Sequence, residues 1–230
     1  MKRQLFIYGS GRHTVPFLNY MAKATGKEKP NFCFIPTASG EDQDYINSFY
    51  DVCSQINVIP HVLSVWINSY DQKESFEEII QKMDAIVVGG GNTLNMLAIW
   101  KAQGIDTALK NAYNNGVVMG GGSAGSLCWF NAGTTDSRPA ALSIVQGMKF
   151  LDKSHCPHYN SEKSRRPLYH NNILSGKLTD GYACDDRSAI HFINEKVHTS
   201  VTLNDENQSY YVYVKDGELI EEQIQGTVIS

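Results

Sequence analysis

Several features that would assign a function class at once are missing from this sequence. No stretch approaches the roughly 20 apolar residues that span a bilayer, and Met1 to Gly9 meets glycine before a signal peptide's apolar region of roughly 7–15 residues can form. No membrane partner is expected. The five cysteines (Cys33, Cys53, Cys128, Cys156, Cys184) are odd in number, scattered and without a CxxC pair. That pattern excludes a secreted disulfide framework and makes the cytoplasm the expected compartment. Long blocks of like charge are absent and the formal net charge is −4, so no nucleic-acid partner is expected. The one compact basic spot, Lys163-Ser164-Arg165-Arg166, suits a single small anion. There is no GxxxxGK[ST] loop, and Gly9-Ser10-Gly11 lacks the third glycine of a GxGxxG fingerprint. Cys156 and His158 have no further ligands clustered around them, and a metal site needs more. Neither a metal nor an organic cofactor is expected.

What remains is the balance of a globular enzyme-sized chain: 230 residues, 42% hydrophobic and 19% charged, enough for one domain over residues 1–230. Short apolar runs alternate with amphipathic stretches. Strands are expected over 4–8, 31–36, 57–65, 85–88 and 116–119, and helices over 14–24, 45–53, 75–82, 94–101, 105–113 and 124–129. Ala85-Ile86-Val87-Val88 and Gly116-Val117-Val118-Met119 are unbroken apolar runs, as in strands covered on both faces. The alternation predicts an α/β fold with a doubly wound, mostly parallel sheet flanked by helices. Ser200 to Leu203, Tyr210 to Val214 and Leu219 to Ile224 read as strands, the last two joined at Lys215-Asp216-Gly217-Glu218. They are expected to extend the same sheet as an antiparallel C-terminal edge.

The chemistry concentrates where the second apolar run ends. Gly121-Gly122-Ser123-Ala124-Gly125 matches G-x-S-x-G between a buried strand and a helix, the context a nucleophile elbow requires. Such a turn strains its central residue and excludes bulky neighbours. It lifts the serine oxygen beside the unpaired N–H groups of the helix start, which favour developing negative charge. Ala124 is the expected first donor, and Gly91 of Gly89-Gly90-Gly91 the second. Similar turns also cradle phosphates or only turn the chain; the missing P-loop favours a nucleophile. A serine needs a base, and among seven histidines His158, in His155-Cys156-Pro157-His158-Tyr159-Asn160, stands on a proline-fixed loop. Asp136 is the expected carboxylate behind it, with Glu162 as rival. Asn92, Thr93, Arg165 and Arg166 are candidate substrate contacts, the arginines as a carboxylate clamp. Two other readings fit parts of the pattern. One is an α/β-hydrolase-type esterase using Asp185 with His191 or His198. The other is a binding module that keeps the elbow without catalysis.

Taken in order, Tyr8-Gly9-Ser10-Gly11, Phe34-Ile35-Pro36-Thr37-Ala38-Ser39, Val87-Val88-Gly89-Gly90-Gly91-Asn92-Thr93, Gly122-Ser123-Ala124-Gly125 and Pro157-His158-Tyr159 resemble the peptidase E (aspartyl dipeptidase) family, which includes cyanophycinase. The resemblance covers most of the chain. It implies a serine peptidase of small peptides on a fold like class I glutamine amidotransferases, with Ser123 as nucleophile, His158 as base, Asp136 as the acidic member, and Gly91 and Ala124 as oxyanion donors. The family's loop after the histidine is longer and carries a glycine-acid-threonine-arginine pattern. Here it is compressed to Asn160–Pro167, so Arg165 and Arg166 fall outside the family motif.

Overall fold

A computed structural model describes all of residues 1–230. Five strands make a parallel sheet: β1 (Gln4–Tyr8), β2 (Asn31–Ile35), β3 (Ile59–Val62), β4 (Ala85–Val88) and β5 (Val118–Gly122), side by side as β1-β5-β4-β2-β3. Helices connect them: α1 (Val15–Ala24), α2 (Gln43–Cys53), α3 (Phe76–Gln81), α4 (Thr93–Gln103) and α5 (Ile105–Asn114). Residue alternation along each strand builds two cores. Leu5 and Ile7 of β1 join Ile80, Met96, Trp100 and Leu109 from α3, α4 and α5. Phe6 and Tyr8 join Phe17, Leu18, Met21 and Phe49 from α1 and α2 on the opposite face. Burying each such side chain contributes roughly 1.5–3 kcal/mol, which is why the strands read as continuous apolar runs. Local signals agree with the packing. In the capping box at α3, Ser75 Oγ accepts the Glu78 N–H at 3.2 Å while Glu78 Oε2 accepts the Ser75 N–H at 2.8 Å.

After β5 comes a one-turn helix, α6 (Ala124–Leu127), and then a second sheet. Its strands are β6 (Phe130–Thr135), β7 (Ser143–Gln146), β8 (Leu151–Cys156), β9 (Gly181–Cys184), β12 (Ser209–Lys215) and β13 (Glu218–Ile224), in the order β13-β12-β9-β8-β6-β7. Helix α7 (Arg165–Leu174) covers it, closing a small core of Cys156, Tyr159, Tyr169, Ile173 and Val212. The expected C-terminal edge is therefore only half present. β10 (Ser188–Ile193) and β11 (Lys196–Thr202) do extend the first sheet antiparallel from β1, with β14 (Gly226–Val228) beside β11. The hairpin β12–β13 instead pairs with β9, Tyr211 opposite Tyr182. That partner is a four-residue strand, and β6, on the far side of β8 from it, is rich in glycine and threonine. Neither displays an apolar run, so no second sheet is visible in the sequence. The α7 segment contains a proline and several polar residues and is equally silent.

Two histidines are sealed inside this packing. His13 Nδ1 lies 2.9 Å from the Tyr8 hydroxyl while its Nε2 has no partner. His155 donates from Nδ1 to the Tyr182 carbonyl at 3.0 Å and stacks on Phe130. Burial pushes both down to about 3 from an ordinary value of 6.5. The unfolded chain therefore binds these protons more readily than the folded one. Their contribution to stability is complete above about pH 6.5 and is lost as the pH falls across the window down to about 3. Each histidine steepens the loss by about 1.4 kcal/mol per pH unit. Urea midpoints at pH 7 and pH 4.5 are expected to differ accordingly, and His13→Gln or His155→Gln to show a smaller difference than the parent.

Candidate active site

Strand order dictates where chemistry can gather. β5 lies between β1 and β4, and their carboxyl ends are level, with Gly122 beside Tyr8 and Gly121 beside Val88. The loops leaving those three ends thus meet in one place, as ligands do at the carboxyl edge of open α/β sheets. Ser123 sits at the centre with φ 55° and ψ −117°. That is a strained conformation for a residue with a side chain, worth about 1–3 kcal/mol, and its surroundings enforce it. A Cβ on Gly122 would stand 1.8 Å from the Ser10 carbonyl oxygen, so the preceding position admits only glycine. α6 is a single turn, so what it offers is unpaired N–H groups, Ala124 first, rather than the summed dipole of a long helix.

The imidazole of His158 reaches this serine from the second sheet. Its Nε2 is 2.8 Å from Ser123 Oγ, and its Nδ1 is 2.7 Å from Asp186 Oδ1. A carboxylate only accepts, so Nδ1 carries the proton and Nε2 presents its lone pair to the serine hydroxyl. The hydrogen bond from His158 holds the Asp186 carboxyl below its usual value, opposing a smaller effect of burial. Asp186 lies in the turn between β9 and β10, which is pinned on both sides. Ser10 N–H donates to the Asp186 carbonyl at 3.3 Å, and Asp186 N–H to Asn160 Oδ1 at 3.2 Å. Tyr159 N–H bonds the Cys184 carbonyl at 3.1 Å, fastening the histidine loop to the same turn.

The expected carboxylate partners lie elsewhere. Asp136 is largely exposed and faces Arg165 Nη2 at 3.5 Å, and Glu162 accepts from Arg165 Nε at 2.6 Å. Arg165 itself is 2% exposed, with Nη1 on the Thr134 carbonyl. A guanidinium buried that deeply must be paired, and this one takes both acids away from the imidazole. Arg166 pairs with Glu221 and lies over the rings of Tyr159 and Tyr210, so neither arginine clamps a ligand at Ser123. Asn92 caps α4, accepting from Asn95 N–H at 2.9 Å, and Thr93 is buried. Both follow the glycine loop without lining the cleft around Ser123. Asp185 accepts from Gln208 N–H, and His191 bonds Tyr20, so the esterase alternative has no Asp–His contact at the serine.

Within the glycine loop, the amide hydrogens are nearly all spoken for. Gly89 donates to the Ile35 carbonyl, Gly90 to the Tyr45 hydroxyl and Asn92 to the Ala38 carbonyl. Gly91, at φ 136°, is the one whose N–H has no partner in the chain. A cleft of about 580 Å³ opens here, lined by Ser39, Asp42, Tyr45, Gly91, Ser123 and His158 together with Ser10, Gly11, Arg12 and Gly90. Sequence reasoning missed Asp186, Arg12, Asp42 and Tyr45. The Asp185-Asp186 pair was the available signal for the first, and Arg12 beside Ser10-Gly11 for the second.

Tyr45 joins two of the loops. Its hydroxyl donates to the Gly11 carbonyl and accepts the Gly90 N–H at 3.2 Å, and both glycines crowd Ser123. Loss of that hydroxyl removes a clamp worth about 1 kcal/mol. Tyr45→Phe is expected to lower kcat about fivefold with KM little changed, read from initial rates alongside a thermal melt that moves only a few degrees.

Fold and site together define a class: a serine-type peptidase on a doubly wound α/β scaffold like that of class I glutamine amidotransferases. The sequence model of peptidase family S51 matches residues 5–200, and the chain belongs to that family. It is 42% identical over 202 residues to "Uncharacterized peptidase YgaJ" of Bacillus subtilis (strain 168), covering 88% of this chain and 86% of that protein. To "Peptidase E" of Haemophilus influenzae it is 26% identical over 194 residues, 79% of this chain and 84% of that one. The crystal structure of a peptidase from an acI-B1 Actinobacterium superposes with a TM-score of 0.74 at 16% identity, covering 100% of this chain and 97% of that one.

Proposed function

We propose that the chain hydrolyses small peptides, as a dipeptidase-like enzyme, through an acyl-enzyme on Ser123. The observation that carries this reading is the unbroken contact from Asp186 Oδ1 through His158 to Ser123 Oγ, at 2.7 and 2.8 Å, opening into a cleft of about 580 Å³. Ser123 Oγ attacks the scissile carbonyl carbon as His158 Nε2 takes its proton, with Asp186 stabilising the imidazolium. The carbonyl oxygen gains charge between the N–H groups of Gly91 and Ala124. Collapse breaks the C–N bond, and His158 returns the proton to the leaving nitrogen. Water then attacks the ester, gives its proton to His158, and the serine leaves with it. The cleft's size supports short substrates, and the exposed carboxylate of Asp42, whose Oδ1 caps α2 at the Tyr45 N–H, lines it as the candidate partner of a free amino terminus. With Arg165 and Arg166 engaged elsewhere, a preference for N-terminal aspartate draws no support from that loop, and Asp-X dipeptides are one class within the panel that tests the function. Five free, buried cysteines support the expected reducing compartment.

The test is a panel of dipeptides differing in the first residue, run on the parent and on Ser123→Ala, with fluorophosphonate labelling followed by mass spectrometry. Hydrolysis confined to the parent and a label on Ser123 are the expected results. Full hydrolysis by Ser123→Ala of every peptide that the parent cleaves overturns the reading.

A further inference from the structure

The chain has six arginines, and four have work inside it. Arg3 pairs with Glu195, Arg165 with Glu162, Arg166 with Glu221, and Arg138 donates to Ser143 and the Ile144 carbonyl. Arg12 and Arg187 are the two whose guanidinium groups touch no acid and no carbonyl. Both are exposed, and both line one groove of about 410 Å³, with Phe17 and Leu203 among its walls and Asp186 at one side. This groove shares Ser10 and Arg12 with the cleft over Ser123, so the two are continuous. Its position is held by backbone. Arg187 follows directly on Asp186, and its carbonyl accepts from Leu203 N–H at 2.9 Å and Thr202 Oγ1 at 3.1 Å. The one carboxylate among the lining residues, Asp186, is already bonded to His158.

The groove also has a side with respect to the reaction. His158 hands its proton to the leaving nitrogen, so the leaving residue lies on the imidazole's side of Ser123. Asp186 backs that imidazole and lines the groove. Asp42 and Gly91 line the cleft but not the groove. We infer that the groove of Arg12 and Arg187 is a carboxylate subsite on the leaving-group side, selecting peptides whose departing residue bears a free α-carboxylate. Guanidinium matches carboxylate with paired, charge-assisted hydrogen bonds, and two unpaired ones beside an apolar wall give a strong, oriented anchor. Together with Asp42 for the amino terminus, the site measures a substrate by its two end charges. It thereby excludes longer or C-terminally blocked chains. This inference rests on the serine peptidase reading for the direction of the leaving group.

The experiment separates the two. Ser123→Ala protein, which keeps the groove, is titrated calorimetrically with each dipeptide of the first-residue panel and with its C-terminal amide, Asp-Leu and Asp-Leu-amide among them. Parent kcat/KM is measured on the same pairs. The free acid is expected to bind, and to be cleaved, about tenfold to a hundredfold better than the amide. Arg187→Ala is expected to erase that preference, raising KM for the acid about tenfold or more and changing cleavage of the amide far less, and Arg187→Lys to restore part of it. Equal affinity for acid and amide, or no binding of either by Ser123→Ala across the panel, overturns the subsite. Arg187-dependent binding of the acids without any hydrolysis by the parent leaves the subsite standing and overturns the peptidase reading instead.

Discussion

Asp186→Asn protein is expected to cleave its peptides about 10²–10⁴-fold more slowly than the parent, with KM little altered. An asparagine keeps the shape and can still meet His158 Nδ1, but its neutral amide does not stabilise the imidazolium. Presenting its NH₂ to the ring also favours the tautomer that puts the imidazole's hydrogen on Nε2, facing Ser123. Partial exposure of the Asp186 side chain, 33%, sets the lower end of that range, because water screens what a sealed carboxylate supplies in full. Asp136→Asn removes a contact of 3.5 Å to Arg165 from an exposed position and is expected to change kcat less than threefold. Glu162→Gln takes a closer partner from buried Arg165, so its effect is expected in the thermal midpoint rather than in kcat. Steady-state rates and melts of the three proteins, measured together, decide the identity of the acidic member. Loss of turnover in Asp136→Asn with normal rates in Asp186→Asn would return that role to Asp136.

Ser123→Ala is expected to reduce kcat by about 10⁴–10⁶-fold while the protein still folds and binds substrate. Alanine removes only the hydroxyl, and the left-handed backbone at this position is enforced by Gly122 pressed against Ser10, not by the side chain. The double variant Ser123→Ala/His158→Ala is expected to be no slower than the single one, since an imidazole with no hydroxyl to activate contributes nothing. What residual rate remains would measure the proposed oxyanion donors, the N–H groups of Gly91 and Ala124. Additive losses in the double variant would mean that serine and histidine act on different steps.

How much of this arrangement was legible beforehand depends on whether a residue's neighbours lie along the chain or across it. Ser123, Gly91 and Ala124 are each placed by one strand-to-turn segment, and a run of apolar residues ending in glycines announces such a segment. His158 was readable because a proline fixes its loop. Asp136 misled for a related reason: it lies near Ser123 in sequence, yet β6 carries it off along the second sheet to meet Arg165. Charged residues have no period to read, and nothing local tells which acid a buried arginine will claim.

The amino-acid order alone determined the parallel sheet, the two cores on its faces and the elbow at Ser123, because side-chain alternation and glycine sterics act over a few residues. Tertiary structure decided the rest: a second sheet hidden in polar strands, Asp186 as the imidazole's partner, and two unpaired arginines beside the cleft. Each of these depends on which strand ends are brought together, and such pairings are set by the packing of the whole chain.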